Sequence, residues 1–237
     1  MKNKKWSEFQ KLTGKCYRYL AGAGEGGECW HKAYEVLKEI IADGRSNQPD
    51  YAAELYELDE DTGYVYDVDG WLEDYLDEIE MKEEYERLLE VCDELLAMFR
   101  WEEDNASDIK FMKASALGSM GREADEAEFC RKWLRDEPDN IFAATASIYA
   151  DIAVQDMEAA GRIISEYIPE GTPCTEENDI IFTAASSYYR KTGNKKEEKR
   201  MEKALDEYDK YLREFLTGGG DDEELEFMWD DEDLPFN

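Results

Sequence analysis

The sequence predicts an all-α fold of antiparallel helix pairs, and three observations carry that prediction. Apolar residues recur at intervals of three and four over helix-length segments. Strand-like alternation is almost absent. Short turn-forming breaks recur along a chain that has only five prolines in 237 residues. Hydrophobic residues make up 42% and aromatic residues 13%, so a packed core is within reach although 37% of the chain is charged.

Taken in order, residues 1–49 read as a pair of helices that caps the N-terminal end. Residues 21–28, AGAGEGGE, connect the pair; they follow no strand, and Glu25 and Glu28 would repel phosphate, so they read as a connector and not a nucleotide loop. Ala33, Val36, Leu37, Ile40 and Ile41 form the apolar stripe of the second helix, which Asp43-Gly44 and Pro49 are expected to close. Residues 63–68, GYVYDV, follow Asp61-Thr62-Gly63 turn chemistry and fit either a small hairpin or, more simply, a loop between helices. Residues 82–99 place Tyr85, Leu88, Leu89, Cys92, Leu95, Leu96 and Phe99 on one helical face, and residues 101–105 end it. Further breaks follow at Gly121, at Pro138-Asp139-Asn140, at 169–173 between two prolines, and at Gly193-Asn194. Residues 197–216 then carry Met201, Ala204, Leu205, Tyr208, Leu212 and Phe215 along a last amphipathic helix.

Residues 108–140, DIKFMKASALGSMGREADEAEFCRKWLRDEPDN, form the clearest repeat unit. Ala114 and Leu117 lie on a first helix, Gly121 in the turn, Ala127, Phe129, Cys130, Trp133 and Leu134 on a second helix, and Pro138 stops it. The unit resembles a tetratricopeptide repeat, with two compensating one-residue departures in spacing around Ala127. Degenerate versions follow with Ala146, Tyr149, Ala159, Ala160, Ile163, Ile164 and Tyr167, then with Ala185, Tyr188, Gly193, Met201, Ala204 and Tyr208. Residues 70–99 fit as a shortened unit with Trp71, Tyr75, Leu88, Leu89 and Cys92. The resemblance covers about residues 70–212, and residues 50–217 are taken as the repeat domain. It implies a short right-handed α-solenoid with an inner groove that binds extended or helical peptide segments.

Charge narrows the class of partner. The net charge is −32, and it is local: residues 50–108 hold 23 acidic and three basic residues, and residues 218–237 hold nine acidic and none basic. Such a field disfavours nucleic acid and anionic membrane and favours a basic protein or peptide. No segment approaches 18 consecutive apolar residues, and the basic start MKNKKWSEFQKL has no apolar run behind it. A cytoplasmic protein is expected. Cys16, Cys29, Cys92, Cys130 and Cys174 lack paired spacing and are expected as reduced thiols.

No catalytic fingerprint occurs, so neither catalysis nor a cofactor is expected. The single histidine, His31, sits beside Cys29, but with Cys16 it lacks a fourth ligand and a zinc spacing. A calcium loop starting at Asp67 fails where Trp71 and Leu72 replace a ligand and the turn glycine, so no metal is expected. Tyr64, Tyr66, Trp71, Tyr75, Tyr85 and Trp101 are dense within the acidic segment. They read either as core packing or as an aromatic–acidic face for Arg and Lys side chains. The candidate partner-binding residues on that face are Tyr64, Tyr66, Trp71, Asp74, Tyr75, Asp77 and Glu78. The alternative is an acidic nucleic-acid mimic that occupies the site of a DNA- or RNA-handling protein.

The C-terminal residues 218–237 follow three glycines and embed Leu225, Phe227, Met228, Trp229, Leu234 and Phe236 in carboxylates. This is the composition of a docking segment, either for the protein's own groove or for another chain, with Phe227, Met228 and Trp229 as anchors.

Overall fold

The structure, a computed structural model, describes residues 2–23 and 27–216. Among them eleven α-helices occur and no strand: α1 Lys2–Leu20, α2 Glu28–Asn47, α3 Tyr56–Thr62, α4 Val68–Met81, α5 Tyr85–Met98, α6 Ser107–Ser119, α7 Glu123–Asp136, α8 Ile141–Ala153, α9 Met157–Tyr167, α10 Asp179–Thr192 and α11 Lys195–Leu216. The chain is all-α, with helices packed in adjacent pairs. None of the described helices is long and apolar enough to cross a membrane. The tail residues Phe227, Met228 and Trp229 lie outside the described residues. The chain divides into two compact units, Met1–Arg122 and Glu123–Asn237, and the division falls between α6 and α7, inside the 108–140 segment.

In unit 1, α1 packs on α2, α4 on α5 and α5 on α6. The core is aromatic. Trp30, Trp71 and Tyr75 stack in parallel, the Trp71 and Tyr75 rings 5.4 Å apart, and Phe9 meets Trp71 edge-on at 5.0 Å. Residues of α1 and α2, the expected capping pair, thus share one core with α4 and α5.

One local feature departs from expectation and another follows the simpler of two readings. Asp43-Gly44 does not close α2, which runs on to Asn47. Gly44 serves space and not a turn: a Cβ there would lie 1.9 Å from the Tyr51 ring, so the missing side chain admits Tyr51 to the helix surface. Residues 63–67 form the loop of the simpler reading, between the short helix α3 and α4, and not a hairpin. Gly63 ends α3 in the left-handed region at φ 63°. Asp59, buried in α3, then accepts hydrogen bonds from the backbone N–H groups of Val68 (2.7 Å) and Asp69 (3.0 Å) and so caps the start of α4 from a distance in sequence.

Unit 2 is more regular. Asn140 caps α8 through the N–H groups of Phe142 and Ala143, and Asp156 caps α9 through Ala159. Gly193 ends α10 at φ 75°. The core is built of Ala144, Ile148, Ala160, Ile164, Ile181, Phe182, Ala184, Ala185 and Met201, and α10 packs on both α8 and α9 as well as on α11. Small residues allow the close approach: a Cβ on Gly161 of α9 would meet the Tyr188 hydroxyl of α10 at 2.6 Å. Ala114, Ala127 and Ala146, the small residues of the repeat register, are all buried.

Candidate functional site

The acidic segment folds into a cleft of about 360 Å³ in unit 1, bounded by α4, the end of α5, the 101–105 loop and α6. Its floor is apolar, with Leu55, Leu72, Leu76, Leu95 and Ile109 all buried. Its rim carries Asp69, Glu73, Asp77, Asp104 and Asp108, and no lysine or arginine lines it. On α4 the carboxylates recur every fourth residue, which places them roughly 6 Å apart along one helix face.

The lip opposite α4 is held by carboxylates that bind backbone. Buried Glu54 accepts from the N–H groups of Glu102 (3.3 Å) and Asp104 (3.5 Å), and Asp104 accepts from the Tyr56 N–H at 3.0 Å. The Arg45 guanidinium donates to the carbonyls of Ala52 and Met98, both at 2.7 Å, and the Arg100 N–H donates to Ala53. Trp101, at the mouth, donates its indole N–H to the Leu95 carbonyl at 3.2 Å and packs edge-on against Phe99. The lip is therefore fixed by hydrogen bonds to its own backbone, one of them to the rim residue Asp104, and no lysine or arginine lines the cleft to balance the rim carboxylates.

The electrostatic signature follows. Burial against the cleft wall raises the Asp69 carboxyl above the ordinary carboxylate range, and Asp104, Asp59 and Asp67 raise it further. Glu73 is raised in the same way, first by burial and then by Asp69 and Asp108. A cation entering the cleft would relieve both.

Of the candidate partner-binding residues only Asp77 lines this cleft, joined by Trp101 from the wider aromatic set. Trp71 and Tyr75 are fully buried, so neither offers a face to a partner; their aromatic area is spent against Trp30, Phe9 and Tyr34. Tyr66 stacks on Trp6 at 4.8 Å, and Asp74 accepts a hydrogen bond from the Tyr17 hydroxyl at 2.9 Å. Glu78 is 5% exposed and paired with Lys82 at 2.5 Å. Tyr64 is 69% exposed in the loop before α4, away from the cleft lining. The sequence reading missed Asp69, Glu73, Asp104 and Asp108. The four-residue spacing of Asp69, Glu73 and Asp77 beside Leu72 and Leu76 was the available signal for half of them.

His31, the residue weighed as a zinc ligand, bonds the Tyr75 hydroxyl through Nδ1 (2.8 Å) and faces Glu84 through Nε2 (3.3 Å). Among the described residues no group of three His, Cys, Asp or Glu side chains is arranged to hold a metal ion. No family model, curated protein or solved structure matches the chain.

Proposed function

We propose that the protein is a non-catalytic interaction module whose unit 1 cleft takes a basic peptide or protein segment. One observation carries this reading: an apolar floor ringed by five carboxylates with no cation of its own. Lys and Arg match such a site in both halves, because the aliphatic stem covers Leu72 and Leu76 while the charged head meets Asp69, Glu73 and Asp77. Trp101 at the mouth adds a ring face for a guanidinium. The resemblance of the helix pairs to tetratricopeptide repeats supports the same class of function, since that family's grooves hold peptide segments. Charge on the rim steers the approach and the apolar floor contributes residence.

The test is calorimetric titration with two capped probe peptides of equal charge, one of lysine alone and one alternating lysine with leucine. The alternating peptide should bind more tightly, and the triple variant Asp69→Asn, Glu73→Gln, Asp77→Asn should weaken it at least tenfold at low salt. Equal binding of both peptides, or unchanged affinity in the variant, removes the cleft from the function.

A further inference from the structure

Unit 2 carries a second and larger groove, of about 930 Å³, between α11 and the 170–176 loop. It exists because α11 has 22 residues and its partner α10 only 14. The overhanging end keeps an apolar stripe that no described residue of unit 2 covers: Tyr211 is 61%, Phe215 71% and Leu216 80% exposed. On a chain of net charge −32, a large apolar strip on a charged helix calls for an occupant.

We propose that the chain's own C-terminal segment, residues 221–237, seats in this groove, with Phe227 and Trp229 against Tyr208, Tyr211, Leu212 and Phe215. Three facts select this occupant over others. The segment begins five residues after α11 ends at Leu216, behind Gly218, Gly219 and Gly220, so reversal onto α11 needs no further linker. The length suffices: the nine residues 225–233 reach between about 13 Å and about 30 Å whatever their conformation, and the groove from Phe215 back to Arg200 covers about 22 Å of α11. Charge fixes the direction. Residues 190–203 hold seven cations against Glu197, Glu198 and Glu202; Arg200 and Lys203 line the groove, paired along their own helix with Glu197 (2.6 Å) and Glu207 (3.3 Å), and the tail's carboxylates would exchange with those exposed pairs. Running back along α11, the apolar residues 225–229 meet the middle of the groove, and the acidic run 230–233 meets that basic stretch. Glu170, Glu176 and Glu207 also line the groove. Tethering by a short linker supplies an effective concentration near millimolar, so weak intrinsic affinity suffices.

Cys174 reports the groove from inside. It is the half-buried thiol of the five, the other four being buried, and burial pushes it up to about 11. Alkylation of Cys174 in the full chain should be at least fivefold slower in the native protein than in the double variant Phe227→Ser, Trp229→Ser, at every protein concentration. Leu212→Asp, on the groove side, should release the segment equally and move the Trp229 emission to that of a water-exposed indole. Equal alkylation rates in native protein and double variant overturn the proposal. So does protection that survives the substitutions and grows with protein concentration, which would put a second copy of the chain in the groove.

Discussion

Unit 1 and unit 2 fill the space between helices with opposite materials. Unit 1 packs Phe9, Trp30, Tyr34, Trp71 and Tyr75 into one aromatic stack, while unit 2 packs Ala144, Ala160, Ala184 and Ala185 with isoleucines. Buried carboxylates divide less cleanly, since Glu78 of unit 1 pairs with Lys82 and Glu126 of unit 2 is raised to about 7 by burial and by Glu123, but the others follow the contrast. In unit 1, Glu54 and Asp59 bind backbone N–H groups. In unit 2, Asp151 meets Arg131, and Glu198 meets Arg190 and Lys195. Acid in unit 1 therefore shapes loops and leaves the remaining charge on a cleft. In unit 2 the buried Asp151 and Glu198 are matched by cations, and the surface of note is the groove beside α11. Net charge alone would have hidden this difference, because it reports how much acid there is and not what each carboxylate binds.

The sharpest way to break the contrast is to remove the centre of the aromatic stack. Trp71→Ala should cost roughly 3–5 kcal/mol, measured by urea denaturation, because a fully buried indole leaves a cavity that its stacked neighbours cannot close. The complementary change in unit 2 adds volume. Ala146→Leu should cost about 1–3 kcal/mol by overpacking a helix crossing made for a methyl group. If Ala146→Leu is neutral, unit 2 is not held together by close helix approach and the comparison loses one side.

Next in size is the cap that joins α3 to α4. Asp59→Ala should cost about 1 kcal/mol, since two N–H groups at the start of α4 lose their acceptor. Hydrogen exchange should locate the loss at Val68 and Asp69. A loss spread evenly over unit 1 would mean that Asp59 stabilises something other than the cap.

How much of this was legible in the sequence differs between elements. The turns at Gly121, Pro138 and Gly193 mark real helix ends because each acts locally, through a left-handed φ or a missing donor. Gly44 misled because its reason is tertiary: it accommodates the Tyr51 ring, which only the fold brings to it. Helix α3 is seven residues long, too short and too acidic for periodicity to register. The site was half legible. On α4 the stripe Trp71, Tyr75 and the stripe Asp69, Glu73, Asp77 are offset by two residues, about 200° around the helix. They cannot face the same partner. Hydrophobic burial claims the aromatic stripe and leaves the acidic one at the surface. Asp104 and Asp108 join from the loop and α6, and a contribution from another element carries no mark in local spacing.

The smallest expected effect separates function from structure most cleanly. Asp69 and Glu73 both have carboxyls raised by burial and by neighbouring acids. A carboxyl raised in the folded state favours folding while it is protonated. That contribution is complete below the unfolded value and disappears as pH rises through the folded one. From the ordinary values of 3.8 and 4.5 up through the raised folded ones, these two residues therefore work increasingly against unit 1, since the unfolded chain gives up their protons more readily. Asp69→Asn and Glu73→Gln should each raise stability at pH 7 by a few tenths of a kcal/mol, on the order of a like-charged pair one helical turn apart. Each should also flatten the loss of stability with rising pH across that window, and neither should change stability at pH 3. A binding site kept at a cost to the fold behaves this way: neutralisation stabilises the protein and weakens its hold on a basic peptide. If both variants instead destabilise unit 1 at neutral pH, the rim carboxylates are structural, like Glu54 and Asp59, and unit 1 has no uncompensated charge to offer a partner.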